Sequence, residues 1–251
     1  MDESQSTDGP EEAEEAGQTE PTDEAVVAAE AEQSEIPSLP NRLFNVFLSP
    51  GKVMEAVAKN PVWVGALLVG AVLVALQTAL IPFDMIMETQ RQAALEAGRD
   101  MPEIPETFMN IMRYVTPVFG MIGTFLMTVV FAGLYWLIFS FVLGDEGRYR
   151  QYLAVGAHAL FVPALIGLAL VPLKIMTGDA QATLNLGSFL FFLPDGYWSN
   201  VFRLMDLTGI WSALIIAQGA HSIDAKRSFG SAAAILIAIV FIVALIFGIF
   251  T

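Results

Sequence analysis

Residues 62 to 83, VWVGALLVGAVLVALQTALIPF, carry no charged side chain, and their most polar groups are Gln77 and Thr78. At 1.5 Å rise per residue a helix of this length reaches about 33 Å, enough for a hydrocarbon core of about 30 Å. A core helix of a soluble domain keeps a polar face, and this stretch has none. It reads as a membrane span.

Four more segments follow the same logic. Residues 115–142 and 152–173 are long and apolar, with Pro117 expected in a first turn, where a missing donor costs little. Residues 231–250 are apolar after Ser231, while 204–223 keep Asp206, Gln218 and His221 near the segment ends, within reach of water and head groups. Residues 183–198, TLNLGSFLFFLPDGYW, hold too short an apolar run before Pro194 and Asp195 to span, and suit an interfacial or re-entrant position. Residues 41–61 read as two short pieces lying on the membrane surface, the second capped by Ser49 and opened by Pro50. The expected fold is all-α: a polytopic membrane helical bundle of five transmembrane helices over residues 41–251. A sixth span at 183–198 is the rival reading.

Charge divides the chain. Only 15% of residues are charged, against about 25% in a soluble domain, and residues 1–41 hold 13 of the 26 acidic side chains with no Lys or Arg. Residues 1–40 have too little apolar surface to offset chain entropy and are expected to form a disordered acidic tail. The remainder, 13 acidic against 12 basic, offers no basic footprint for nucleic acid. The tail lacks the pattern of a secretory signal, so it is expected to stay on the side where it is made. With the N-terminus inside, inner segments carry Arg42, Lys52, Lys59, Arg148, Arg150, Lys226 and Arg227, and outer ones Arg91, Arg99, Arg113, Lys174 and Arg203. That bias places the N-terminus in the cytoplasm and the C-terminus outside, in the cell (inner, cytoplasmic) membrane.

Material for chemistry is thin. The absence of cysteine removes disulfides, thiolate nucleophiles and thiolate metal sites. No HExxH, G-x-S-x-G or glycine-rich phosphate loop is present, so no catalytic, metal or cofactor residues are assigned. The polar positions that stand out are His158 inside the third span, Asp206 at the mouth of the fourth, Gln77, Gln218, and Arg148 and Arg150 in the loop GDEGRYRQY. Asp206 is expected to cap the helix beginning LTGIW. His158 is expected to face another helix near the carbonyl of residue 159 that Pro163 leaves free. Small residues at four-residue spacing, Ala66 with Gly70 and Ala213 with Ala217, permit close helix packing.

Three stretches, RLFNVFLSPGKVMEAVAKNPVW, YRQYLAVGAHALFVPALIG and LMDLTGIWSALIIAQGAHSI, resemble the Yip1-domain family of integral membrane proteins, in its small prokaryotic form. The family-like positions are Phe47, Pro50, Tyr149, Ala154, Pro163, Asp206, Trp211 and Gly219. The resemblance implies five spans with a cytosolic N-terminus and a far-side C-terminus, and it carries over no catalytic residue. Eukaryotic relatives are implicated in membrane traffic through small GTPases and in membrane shaping. The expected role is non-enzymatic: membrane organisation or a protein-binding scaffold, with the lipid bilayer, membrane or cytosolic proteins, or a second copy as partners. The alternative is a small transporter or permease-like component with a polar path near His158, for which Gln77, His158 and Gln218 would have to converge on one cavity.

Overall fold

The computed structural model describes residues 36–102 and 104–250. Of the tail expected to be disordered, residues 1–40, residues 1–35 lie outside the described part, and Leu39 and Pro40 already belong to the first helix.

The described chain is all helical apart from loops and one isolated bridge, Asn185 to Asp206. Helix α1 (Leu39–Leu48) ends at Ser49, and α2 (Pro50–Lys59) starts there with proline at its first position. Ser49 stands at the N-cap as its sequence position suggests, but its hydroxyl makes no capping hydrogen bond. One face of each packs into the protein interior, while Phe44 and Leu48 stay exposed on the other side of α1. Val46, Val53, Met54 and Val57 are buried in one cluster with Tyr152, Val155 and Ala217.

Helix α3 (Val64–Leu80) occupies the first charge-free segment. Ile81, preceding Pro82, is extended (φ −76°, ψ 128°), as the residue before a proline prefers. The chain therefore turns by 87° into α4 (Phe83–Glu96), whose Asp84, Glu88, Arg91 and Glu96 distinguish it from a span. Helix α5 (Glu106–Trp136) runs on through a π turn, Leu137–Val142. It begins nine residues before the apolar segment, so Pro117 stands inside a helix and not in a first turn. Hydropathy marks membrane depth; it does not mark where a helix begins.

The third segment is divided. Helices α6 (Tyr149–Ala159), α7 (Phe161–Ala169) and α8 (Val171–Thr177) meet at Leu160 and Leu170. Each break lies just ahead of a proline, Pro163 and Pro172, which removes one rung of the hydrogen-bond ladder. Residues 183–196 are irregular apart from one 3₁₀ turn, Leu186–Phe189, and expose Phe189, Phe191 and Phe192. Helix α9 (Tyr197–Leu204) then leads into α10 (Leu207–Ile223) and α11 (Phe229–Phe247).

Among the described residues three helical stretches are long and apolar enough to cross a membrane, Glu106–Val142, Tyr149–Ala169 and Phe229–Phe247, with a fourth if the bent α3–α4 pair counts as one. The protein is a polytopic membrane helical bundle. Helix α10 sits at its centre, packed on α2, α6, α7 and α11, while α3 packs on α5 and α7. Small residues set the close approaches: a Cβ at Gly219 would collide with Val155 of α6, and one at Gly70 would come within 2.9 Å of Leu160.

Candidate functional site

One end of the bundle is closed by a polar clasp between two loops. The π turn directs Phe139 onto Tyr152, both fully buried, as near-parallel rings 6.0 Å apart. Gly144, at φ +76°, then reverses the chain, a conformation glycine adopts without steric cost. The Asp145 N–H donates back to the Phe139 carbonyl at 2.9 Å. Gly147 must be a glycine, because a Cβ would lie 2.6 Å from the Tyr152 ring and 2.9 Å from Ser140 Oγ. Its carbonyl accepts from Trp136 Nε1 and Ser140 Oγ, each at 3.1 Å.

The facing loop follows α10. Arg227 donates from Nε to Asp145 Oδ2 at 2.8 Å and from Nη2 to Asp145 Oδ1 at 2.6 Å. The Asp224 carboxylate accepts the Glu146 N–H at 2.9 Å and the Lys226 N–H at 2.8 Å. These two N–H donors, with Lys226 and Arg227 adding to them, hold the Asp224 carboxyl below the usual carboxylate range. The hydrogen bond to Asp145 raises the Arg227 pKa above its ordinary value, and Glu146 raises that of Lys226. Lys226 and Glu146 pair at 2.9 Å but are about four-fifths exposed, so that pair contributes little. The Arg227–Asp145 pair is different: its side chains are 17% and 6% exposed. His221 closes the network, its Nδ1 donating to the Arg227 carbonyl at 2.6 Å.

The polar residues singled out in the sequence are scattered. Asp206 is the N-cap of α10, accepting the Gly209 N–H at 2.8 Å and the Thr208 hydroxyl. His158 is fully buried, and its Nδ1 is bonded to the Ala154 carbonyl of its own helix at 2.8 Å. The carbonyl freed by Pro163, Ala159, is taken by Ser212 of α10 at 3.1 Å, and not by His158. Arg148 is the N-cap of α6, where its N–H donates to Gln151 Oε1 at 2.9 Å; Arg148 and Arg150 are exposed. Gln218 lies beside Gly51 of α2, and Gln77 fills the space that a Cβ at Gly167 would need. Among the described residues no group of three or more His, Cys, Asp or Glu could hold a metal ion.

Sequence reasoning missed the Arg227–Asp145 fork and Ser212. The first joins residues 82 apart in the chain. The second had a signal, a hydroxyl in an apolar segment together with a proline in another, but nothing in the sequence pairs the two.

A second feature runs along the side of the bundle. A half-open cavity of about 590 Å³ lies between α5 and α11, floored by α6, α7 and α10. No charged side chain lines it, and three of its hydroxyls are spent locally, Thr124 on Gly120, Thr128 on Thr124 and Ser212 on Ala159, which leaves the Tyr135 phenol as its polar group. Gly209 and Ala213, four residues apart, keep part of its floor low.

Comparison with known proteins agrees with this architecture. The family model described as the Yip1 domain matches residues 44–251. The chain is similar to "Membrane protein YknW" of Bacillus subtilis (strain 168), 25% identical over 184 residues, covering 71% of this chain and 77% of that protein. No solved structure matches.

Proposed function

The chain belongs to the Yip1-domain family, and from that premise we propose that it is a non-enzymatic organiser of the cell membrane that holds protein partners through the lateral groove between α5 and α11. The observation that carries this reading is the dispersal of the polar residues a permeation path would need. Gln77 lines a small cavity with Thr78, Thr116 and Gln181; His158 is sealed within α6; Gln218 lies against α2. None of the three lines the large groove, so its apolar wall suits a transmembrane helix and not a hydrated solute. Small residues at helical spacing on its floor favour close helix approach.

The proposed topology has five spans, taking α3 and α10 as crossings beside the three longer ones, with the N-terminus in the cytoplasm. It is supported by the clasp, which brings loops 143–151 and 222–230 to the same end of the bundle, as two inner loops require. Segment 183–198, with its exposed aromatic side chains, is proposed to rest at the opposite surface.

Photo-crosslinking in native membranes tests the scaffold. A benzophenone amino acid at Phe131, on the groove wall, should yield a discrete protein adduct, and one at Phe44 on the outer face of α1 should not. Lipid adducts alone from both positions would remove the scaffold reading.

A further inference from the structure

Arg42 is a buried cation without an anion. It is 8% exposed, and its Nε is fully enclosed with no hydrogen-bond acceptor. Among the described residues it takes part in none of the five ion pairs. The other covered cations are provided for: the partly buried Arg227 grips Asp145, and the buried Lys174 donates to the Ala180 carbonyl at 3.1 Å with Asp179 and Asp206 in electrostatic reach. Burial lowers the Arg42 pKa, and no carboxylate acts to hold its charge. A guanidinium nevertheless stays protonated in proteins. A charge taken from water and left unpaired is costly, so the site calls for a counter-charge from outside the fold.

A candidate within the fold is His158, which lies in electrostatic reach of Arg42. Because His158 Nδ1 faces a carbonyl, it must carry the proton. The neutral ring then presents Nε2 as an acceptor, and that atom is itself buried without a partner. It can accept a hydrogen bond but supplies no negative charge.

Helix α1 shows where the missing anion would come from. Phe44 and Leu48 are 65% and 66% exposed on its outer side. Along its polar edge Asn45 Nδ2 donates to the Asn41 carbonyl at 2.8 Å, and both asparagines reach solvent. A helix with an apolar outer face, an amide edge and a tucked arginine suits the boundary between acyl chains and head groups. The phosphorus-bearing layer of the bilayer lies at that depth, and a guanidinium fork matches phosphate oxygens.

We propose that Arg42, flanked by Asn41 and Asn45, binds the phosphate group of an anionic phospholipid and so pins α1 to the membrane surface. The full-length protein in nanodiscs is the test, with phosphatidylglycerol or phosphatidylcholine as lipid. Co-purifying lipid is counted by native mass spectrometry, and the unfolding midpoint is recorded. Wild type should retain phosphatidylglycerol over phosphatidylcholine by about fivefold, the share of one basic side chain at an anionic surface, and should unfold later in it. Arg42→Gln should erase the preference. Arg42→Lys should keep part of it through charge alone, which holds the test open if the glutamine variant fails to fold. Arg150→Gln removes an exposed cation outside the enclosed site and should keep a preference that Arg42→Gln loses. Inorganic phosphate added to phosphatidylcholine discs separates the sources: a rise in midpoint that needs Arg42 assigns the site to free phosphate, and no rise assigns it to lipid. Equal retention of both lipids by wild type and Arg42→Lys, with no response to phosphate, overturns the proposal.

Discussion

Arg227 holds both carboxylate oxygens of Asp145, at 2.8 Å and 2.6 Å, across 82 residues of sequence. The fork ties the loop after the π turn to the loop before α11, and so joins the loop that connects α5 to α6 with the loop that connects α10 to α11. Removing one partner strands a charge that is largely covered. Arg227→Met or Asp145→Leu should therefore cost about 3 kcal/mol of stability in detergent, at the lower end for a broken buried pair. The double variant Arg227→Met with Asp145→Leu should recover most of that loss. Thermal unfolding of the three proteins checks this, and additive losses would show that the two residues act independently.

Acid should loosen the same clasp through Asp224. Its folded pKa lies below the unfolded value of about 3.9, because two backbone N–H groups favour the charged form. The contribution is fully present above the unfolded pKa and is lost as pH falls through the folded one. The Asp224 term should therefore be constant from pH 5.5 to 8 and decline only below about pH 4. Asp224→Asn should flatten that acid limb. Unfolding midpoints across pH 3 to 8 give the comparison, and an identical acid limb in the variant would rule out Asp224 as its source.

Ser212 completes a backbone that Pro163 interrupts. Ser212→Ala should cost about 0.6 kcal/mol and no more than about 1.7, the range of interhelical polar contacts in membranes. Replacing Pro163 by Ala restores an N–H for the Ala159 carbonyl, so Ser212→Ala should cost less in that background. A double-mutant cycle on unfolding free energy reads the coupling, and a coupling of zero would separate the two residues.

His158 distinguishes scaffold from transporter. If its role is packing plus one hydrogen bond to Ala154, His158→Gln should keep stability and cellular phenotype, and His158→Leu should lower stability modestly. Proton handling would make both variants equally inactive in any pH-dependent function, since neither titrates near pH 6.5. Phenotype and stability from pH 5.5 to 8 discriminate. A stable but functionless Gln variant would favour transport.

Much of this architecture is legible in the residues, for a reason specific to membranes. A bilayer fixes the length of an apolar run, so segments such as 231–250 announce themselves, and Asp206 before LTG signals a helix cap through local chemistry alone. What escapes is whatever depends on which helix faces which. Ser212 meets Ala159 only after folding, and Arg42 looks like any positive-inside residue until α1 tucks it under the bundle. Pro117 misleads for a related reason: α5 extends into polar sequence at Glu106, where hydropathy falls but the backbone ladder continues.

The proposed orientation places the clasp and Arg42 at the cytoplasmic end of the bundle. The chain contains no cysteine, so single cysteines placed at positions 20, 100 and 225 can be probed in intact cells with a membrane-impermeant maleimide. That orientation predicts labelling at 100 and protection at 20 and 225 until the membrane is permeabilised. Protection at 100 together with labelling at 20 or 225 would contradict it.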